Sequence, residues 1–217
     1  MPAMTWLSLV GEPDPAHQGQ IMSYLNNINL DLYRRLPDFI YQAEQRLCRE
    51  AKNIGLEIYV TGKFTPGEDV MVKPARWRRS LTLGCWTADK KYHQIYVRNY
   101  EFLRLLTSAW RKPTRPRYYG DYGYEALLLS PPPDQAYDFE YGYMQLPAPL
   151  SPENQTNWLT DYAPDVLLYA ILLEAVPFLK NDERIPVWES AYARGLASLN
   201  QQDDARQVDR ASNDQAD

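Results

Sequence analysis

Hydrophobic positions along this chain change their period twice. In LPDFIYQAEQRLCREAKN, residues 36–53, Leu36, Ile40, Ala43, Leu47 and Ala51 recur at spacings of 4, 3, 4 and 4. That is one stripe of a helix. Pro37 and Asp38 suit its first turn, Glu44, Arg46, Arg49 and Lys52 fall mostly off the stripe, and 53–55 end it. From residue 54 the period becomes two. LEIYVTGKF sets Leu56, Ile58 and Val60 on one face. RWRRSLTLGCW turns Trp77, Leu81, Leu83 and Cys85 inward, with Arg79 as the exception. YHQIYVRN alternates again, and NYEFLRLLTSAW reads as a short helix with Phe102, Leu105 and Leu106 on one side. GDYG and SPPPD are turn signals. After them Tyr137, Phe139, Tyr141 and Tyr143 alternate with Asp138, Glu140 and Gly142, the pattern of a half-buried antiparallel strand.

Helical spacing then returns. PDVLLYAILLEAVPFLK, residues 164–180, is apolar on almost every side. A surface helix has one wet face, so this one is expected at the centre of a helical lobe. The helix from Leu36 would cover one side and the helix from Asp182 another. The β lobe or a neighbouring subunit would cover part of the rest, and Pro177 would kink or stop it. Beyond Asp182, Ile185, Trp188, Tyr192, Leu196 and Leu199 recur at 3, 4, 4 and 3, and Gly195 among them suggests close packing. At the other terminus, 5–10 reads as a short helix or strand. Pro13 and Pro15 force a loop, and Asn26, Asn27 and Asn29 weaken a helix over 21–32. Residues 201–217 are polar and aperiodic, the composition of a segment disordered in isolation.

The periodicities therefore predict an α+β fold. A small helical bundle comes from the N- and C-terminal parts, with an inserted, mostly antiparallel β lobe and a polar C-terminal tail. The expected boundaries are 1–53 and 147–200 for the helical lobe, 54–146 for the β lobe and 201–217 for an extended tail.

Composition changes this picture in two ways. The chain carries 17 Tyr and 6 Trp, which suits either an aromatic β core or interfaces. Its net charge of −5 argues against a general nucleic-acid binder. Two basic clusters stand against that balance. One is Arg76, Arg78 and Arg79; the other is Arg111, Lys112, Arg115 and Arg117, followed by Tyr118 and Tyr119. Both read either as a solvated rim or as contacts to duplex DNA or to acidic residues of another subunit. Arg76, Arg78, Arg79, Arg115 and Arg117 are the candidate contact residues.

Catalytic chemistry leaves no trace. There is no Gly-rich phosphate loop, GxSxG, HExxH or Cys/His metal spacing. Cys48 and Cys85 form no CxxC and read as free buried thiols of a reducing compartment. His17 and His93 are isolated. No catalytic, cofactor-binding or metal-ligating residue is expected, and no cofactor. The start of the chain lacks a signal peptide's basic and apolar regions. The block at 164–180, interrupted by Asp165, Glu174 and Pro177, falls short of a membrane span. A soluble protein made in a cytoplasm is expected.

Two segments carry a family likeness. LPDFIYQAEQRLCRE, and LPAPLSPENQTNWLTDYAPDVLLYAILLEAVPFLKNDERIPVWESAYARGLASL, resemble the head-to-tail adaptor (connector) proteins of tailed bacteriophages. PRYY, LLLSPPPD and AYDFEYGY between them follow the order of that family. The resemblance implies a structural virion protein and not an enzyme. It would form a ring, usually of twelve copies, below the portal, extend the DNA channel and dock the tail. The implied partners are copies of itself, the portal protein, a tail nozzle or tail-tube protein, and double-stranded DNA in transit, with no membrane. The C-terminal segment would reach the portal, making Asn200, Arg206 and Arg210 candidate portal contacts. The location would be the head–tail junction of the virion, after synthesis in the bacterial host cytoplasm. A nucleic-acid-binding module using the Arg/Tyr clusters, or an unrecognised phage hydrolase, are the alternatives.

Overall fold

A computed structural model describes residues 4–12, 14–26, 29–51, 55–109, 112–179 and 182–213, the side chains of 15, 109 and 203–213 excepted. In chain order the elements are α1 (Trp6–Val10), α2 (Gln20–Leu25), α3 (Leu30–Glu50), β1 (Leu56–Lys63), β2 (Val70–Val72), β3 (Trp77–Trp86), β4 (Tyr92–Gln94) and β5 (Tyr96–Val97). They continue with α4 (Tyr100–Ala109), β6 (Tyr118–Asp121), β7 (Ala126–Ser130), β8 (Asp138–Gln145), α5 (Trp158–Tyr162), α6 (Pro164–Glu174) and α7 (Ile185–Asn213). The architecture is α+β, and the chain divides into two compact units: 1–55 with 147–217, and 56–146.

In the helical unit, α6 packs against α2, α3, α5 and α7. The reason lies in its composition, since Val166, Leu167, Leu168, Ala170, Ile171 and Leu172 are all buried, and only Asp165 in the first turn is exposed. Gly195 of α7 lets the chains approach closely: a Cβ built there would stand 2.8 Å from Val166 Cγ2. Pro177 acts as a stop. α6 ends at Glu174, and a 3-10 turn, Val176–Phe178, takes over.

The expected stripe of α3 is all buried, with Leu36, Ile40, Ala43 and Leu47 each at 0% exposure. Its start differs from the expectation. Asn29 caps the helix, its Oδ1 accepting from Asp31 N–H, so Leu30 opens it and Pro37 lies inside rather than in the first turn. A capping Asn stabilises a helix end by about 1 kcal/mol. Burial of Leu32, Leu36, Phe39 and Ile40 offsets the ~3 kcal/mol cost of an interior proline. The asparagines that blur helix propensity here thus punctuate two helices: Asn26, at φ 50°, closes α2 in a left-handed conformation.

The end of α7 differs too. Residues expected as an extended tail continue the helix to Asn213. Trp188, Tyr192 and Leu199 are its buried stripe. Arg184, just before it, donates to the carbonyls of Tyr24 and Leu25 at the end of α2 and to Asp182. This cation satisfies carbonyls that the helix end leaves open.

The β unit holds two four-stranded sheets, ordered β1-β8-β3-β4 and β2-β7-β6-β5. Pairing is antiparallel except for β5 beside β6. β8, the last strand, lies between β1 and β3, in register Val60↔Tyr141 and Leu83↔Tyr141. The two sheets share one core of Leu83, Cys85, Ile95, Tyr119, Leu127, Leu129, Tyr137, Tyr141 and Tyr143. The alternating tyrosines therefore supply core, and Tyr141 also supplies a polar joint, with its hydroxyl 2.6 Å from Trp77 Nε1 and 2.7 Å from Ser80 Oγ.

Three expectations fail locally. Leu56, at the end of edge strand β1, is exposed. Cys48 is only half-buried, while Cys85 is buried. In α4, Leu103 is the buried residue, whereas Phe102 and Leu105 face outward. A helix this short offers two overlapping stripes, and β6 and β7 cover the one through Leu103.

Candidate functional site

The two basic clusters do not form one patch. Arg76, at φ 57° before β3, donates to Leu146 O at 3.1 Å and to Gln145 Oε1 at 3.3 Å. It ties the start of β3 to the end of β8. Arg78 is half-buried, Arg79 exposed, and neither lacks a partner. Arg115 lies by the other end of β3, where its charge is felt by Cys85 and His93. At ~3.3 Å per residue, Arg79 and Cys85 are separated by roughly 20 Å of strand. Arg115 is half-buried and its Nε is buried without a hydrogen-bond partner. Arg117 is exposed and also has a partner. Burial pushes the Cys85 thiol up, against the opposing pull of the Arg115 guanidinium. Asn200 is half-buried on α7 and not without a partner. Arg206 and Arg210 belong to the helical stretch whose side chains lie outside the described residues, and Arg111 lies outside them altogether.

A different basic–aromatic group is the best-built surface of the β unit. The guanidinium of Arg98 lies 5.9 Å from the Phe102 ring centre and 5.5 Å from that of Tyr118. Arg104 lies 5.3 Å from Tyr100 and 5.5 Å from Tyr122. The rings order one another: Tyr100 stacks on Tyr122 at 5.8 Å, and Phe102 meets Tyr118 edge-on at 5.6 Å. α4 projects Tyr100, Phe102 and Arg104, while β6 and its exit supply Tyr118 and Tyr122. A shallow groove runs along Val97, Arg98, Asn99, Tyr100, Phe102 and Asp121. The signal was present in the sequence as YVRNYEFLR, where arginines interleave with aromatics. It points to one surface only once β6 is known to lie beside α4.

In the helical unit the notable group is Glu44. It lies on the buried face of α3 rather than off it, because it stands four residues from Ile40 and next to Ala43. Its carboxylate accepts from Leu150 N–H at 3.2 Å and from Asn157 Nδ2 at 2.6 Å. Asn157 in turn caps α5 through Leu159 and Thr160 N–H. Glu44 therefore fastens the strap 147–157 to α3. Burial drives its pKa up to about 7, and the hydrogen bonds from Asn157 and Leu150 oppose that. Nearby, Arg46 pairs with Glu50 and Glu174, and Tyr192 donates to Glu50 at 2.6 Å, joining α3, α6 and α7.

Among the described residues no group of His, Cys, Asp or Glu is placed to hold a metal ion. No helix among them is long and apolar enough to cross a membrane. Exposed aromatics and arginines stacked on rings are the side chains enriched in protein–protein contacts. No curated protein matches the chain. A family model described as SU10 adaptor protein matches residues 4–215, from before α1 to past the end of α7. The chain belongs to the SU10 adaptor protein family, consistent with the phage head-to-tail adaptors that its motifs resemble.

Proposed function

We propose that the protein is a structural component of a tailed-phage virion that forms a closed ring, of twelve copies, below the portal. The ring extends the DNA channel above and presents the docking surface for the tail below. The family match over residues 4–215 carries this reading. Supporting it, large hydrophobic side chains stay exposed in both units, among them Tyr162 and Val187 in one and Val72, Leu105 and Tyr124 in the other. Ring subunits need two complementary side faces whose rotation closes, and such faces are enriched in aromatics and arginine. An acidic chain of net charge −5 also suits a conduit, because many phosphate contacts would hold DNA and slow its passage. The C-terminal segment with Asn200, Arg206 and Arg210 is assigned to the portal. Negative-stain images of the protein mixed with its portal test the reading. An added ring below the portal is expected, and unchanged portal particles would refute it.

A further inference from the structure

We propose that the face built by β5, α4 and β6 receives a second copy of this chain, which presents the corner Asp161–Tyr162–Asp165 to Arg98 and Arg104. The inference rests on the ring reading for why copies meet, and it names the two surfaces that do so.

The receiving face is built before any partner arrives. Each guanidinium lies over two rings, at 5.3–5.9 Å from their centres, so its position is restrained and part of its N–H set remains for an acceptor. Arg98 donates to Val97 O, and Arg104 to the hydroxyls of Tyr100 and Tyr122. Neither arginine has a carboxylate within 4 Å among the described residues. Asp121, the acid of the groove, is paired with Lys73. Asp69 is felt by Arg104 only from beyond ion-pair distance. Around these two charges Tyr96 and Val97 of the edge strand, and Leu105 of α4, are more than half exposed, at 58%, 61% and 72%. Apolar anchors around stacked arginines are the usual centre of a protein–protein contact.

The occupant follows from charge. The chain holds 28 acidic against 23 basic residues, so a second copy brings the missing carboxylates. Asp161 and Asp165 are exposed, and neither has an ion-pair partner among the described residues. They flank Tyr162, 68% exposed, whose ring lies against Trp158 at 5.5 Å. This corner offers two carboxylates and one aromatic to a face holding two guanidiniums and several aromatics. The two surfaces differ, so the contact is heterologous, and repeating it builds a ring where the rotation closes, not a lone dimer. Duplex DNA is the disfavoured occupant, since it would leave the exposed apolar side chains unused.

Sedimentation velocity of the protein alone tests this without any portal, so its failure is separable from failure of the ring reading. Wild type is expected to self-associate at high concentration, more strongly at low salt. R98A/R104A and D161N/D165N should each weaken that association at least tenfold, with circular dichroism and melting confirming the fold. Mixing the two variants should restore a 1:1 pair and nothing larger, because only one intact face and one intact corner remain to meet. Wild type that stays monomeric at every concentration would overturn the proposal. So would variants that associate like wild type, or a mixture that forms no pair. A labelled 20-base-pair duplex is the last arm. Binding lost in R98A/R104A while self-association persists would assign the face to nucleic acid instead.

Discussion

Glu44 shows how far one residue's role depends on what surrounds it. On the sequence it is one acid among several on α3; in the fold it is 4% exposed and holds a strap by hydrogen bonds. Its carboxyl titrates near pH 7 instead of near 4.5, so the folded state binds a proton that the unfolded chain has released between those values. Stability from this group is therefore fully present below about pH 4.5, falls as pH rises toward 7, and is flat beyond. At 1.36 kcal/mol per pKa unit the span is at most about 3–4 kcal/mol. Urea melts at pH 5 and pH 8 should show wild type weaker at the higher pH, and Glu44→Gln should flatten that difference. An equal slope in both proteins would mean the strap's pH dependence comes from elsewhere. Trp188 is a simpler case. It is 4% exposed in the α7 stripe, and Trp188→Ala should cost roughly 3–5 kcal/mol, read as a lower thermal midpoint.

Among the elements, those whose periodicity had only one solution were legible. α6 is apolar all round, so its burial among helices followed from its side chains alone. The stripe of α3 and the alternating tyrosines of β8 were equally unambiguous. Where two local signals competed, the reading went astray. Pro37 suggested a first turn, but Asn29 offered a better cap. α4 carried two overlapping stripes, and only the neighbouring strands decide between them. Gly195 tests the packing of α6 on α7. Replacing glycine by alanine in an ordinary helix gains about 1 kcal/mol. Here the new methyl would meet the stiff Val166 side chain at 2.8 Å, and overpacking costs about 1–3 kcal/mol. Gly195→Ala is therefore expected to lower the melting temperature; a rise would mean the two helices have room to spare.

At the scale of the whole molecule, the fold class and the family were readable, while the surface that stacks arginines on aromatics was not. Sequence clustering singled out Arg76 to Arg79 and Arg115 to Arg117, yet strand geometry puts them at opposite ends of β3, and Arg76 serves its own sheet. Arg98 and Arg104 escaped notice because their aromatic partners Tyr118 and Tyr122 come from a later segment that only the sheet order brings alongside. The polar tail looked unstructured because it lacks an apolar stripe, while helical backbone continues from α7 to Asn213. Removing residues 201–217 should leave the melting temperature within about a degree or two, because Leu199 is the last buried side chain among the described residues. The same deletion should weaken recovery of the portal in a pull-down, and equal recovery would count against a portal role for this segment.

The place of β8 sets an order of events during synthesis. It is the last strand made, yet it fills the gap between β1 and β3. When β3 leaves the ribosome its sheet has no centre, and the inner edges of both strands wait for a residue span that ends near Gln145. Only then does the β unit close. The helical unit waits longer still, because α3 packs on α6 and bonds Tyr192 of α7 from beyond that point. The buried stripe of α3 therefore lacks its α6 cover until residues 164–174 have been made.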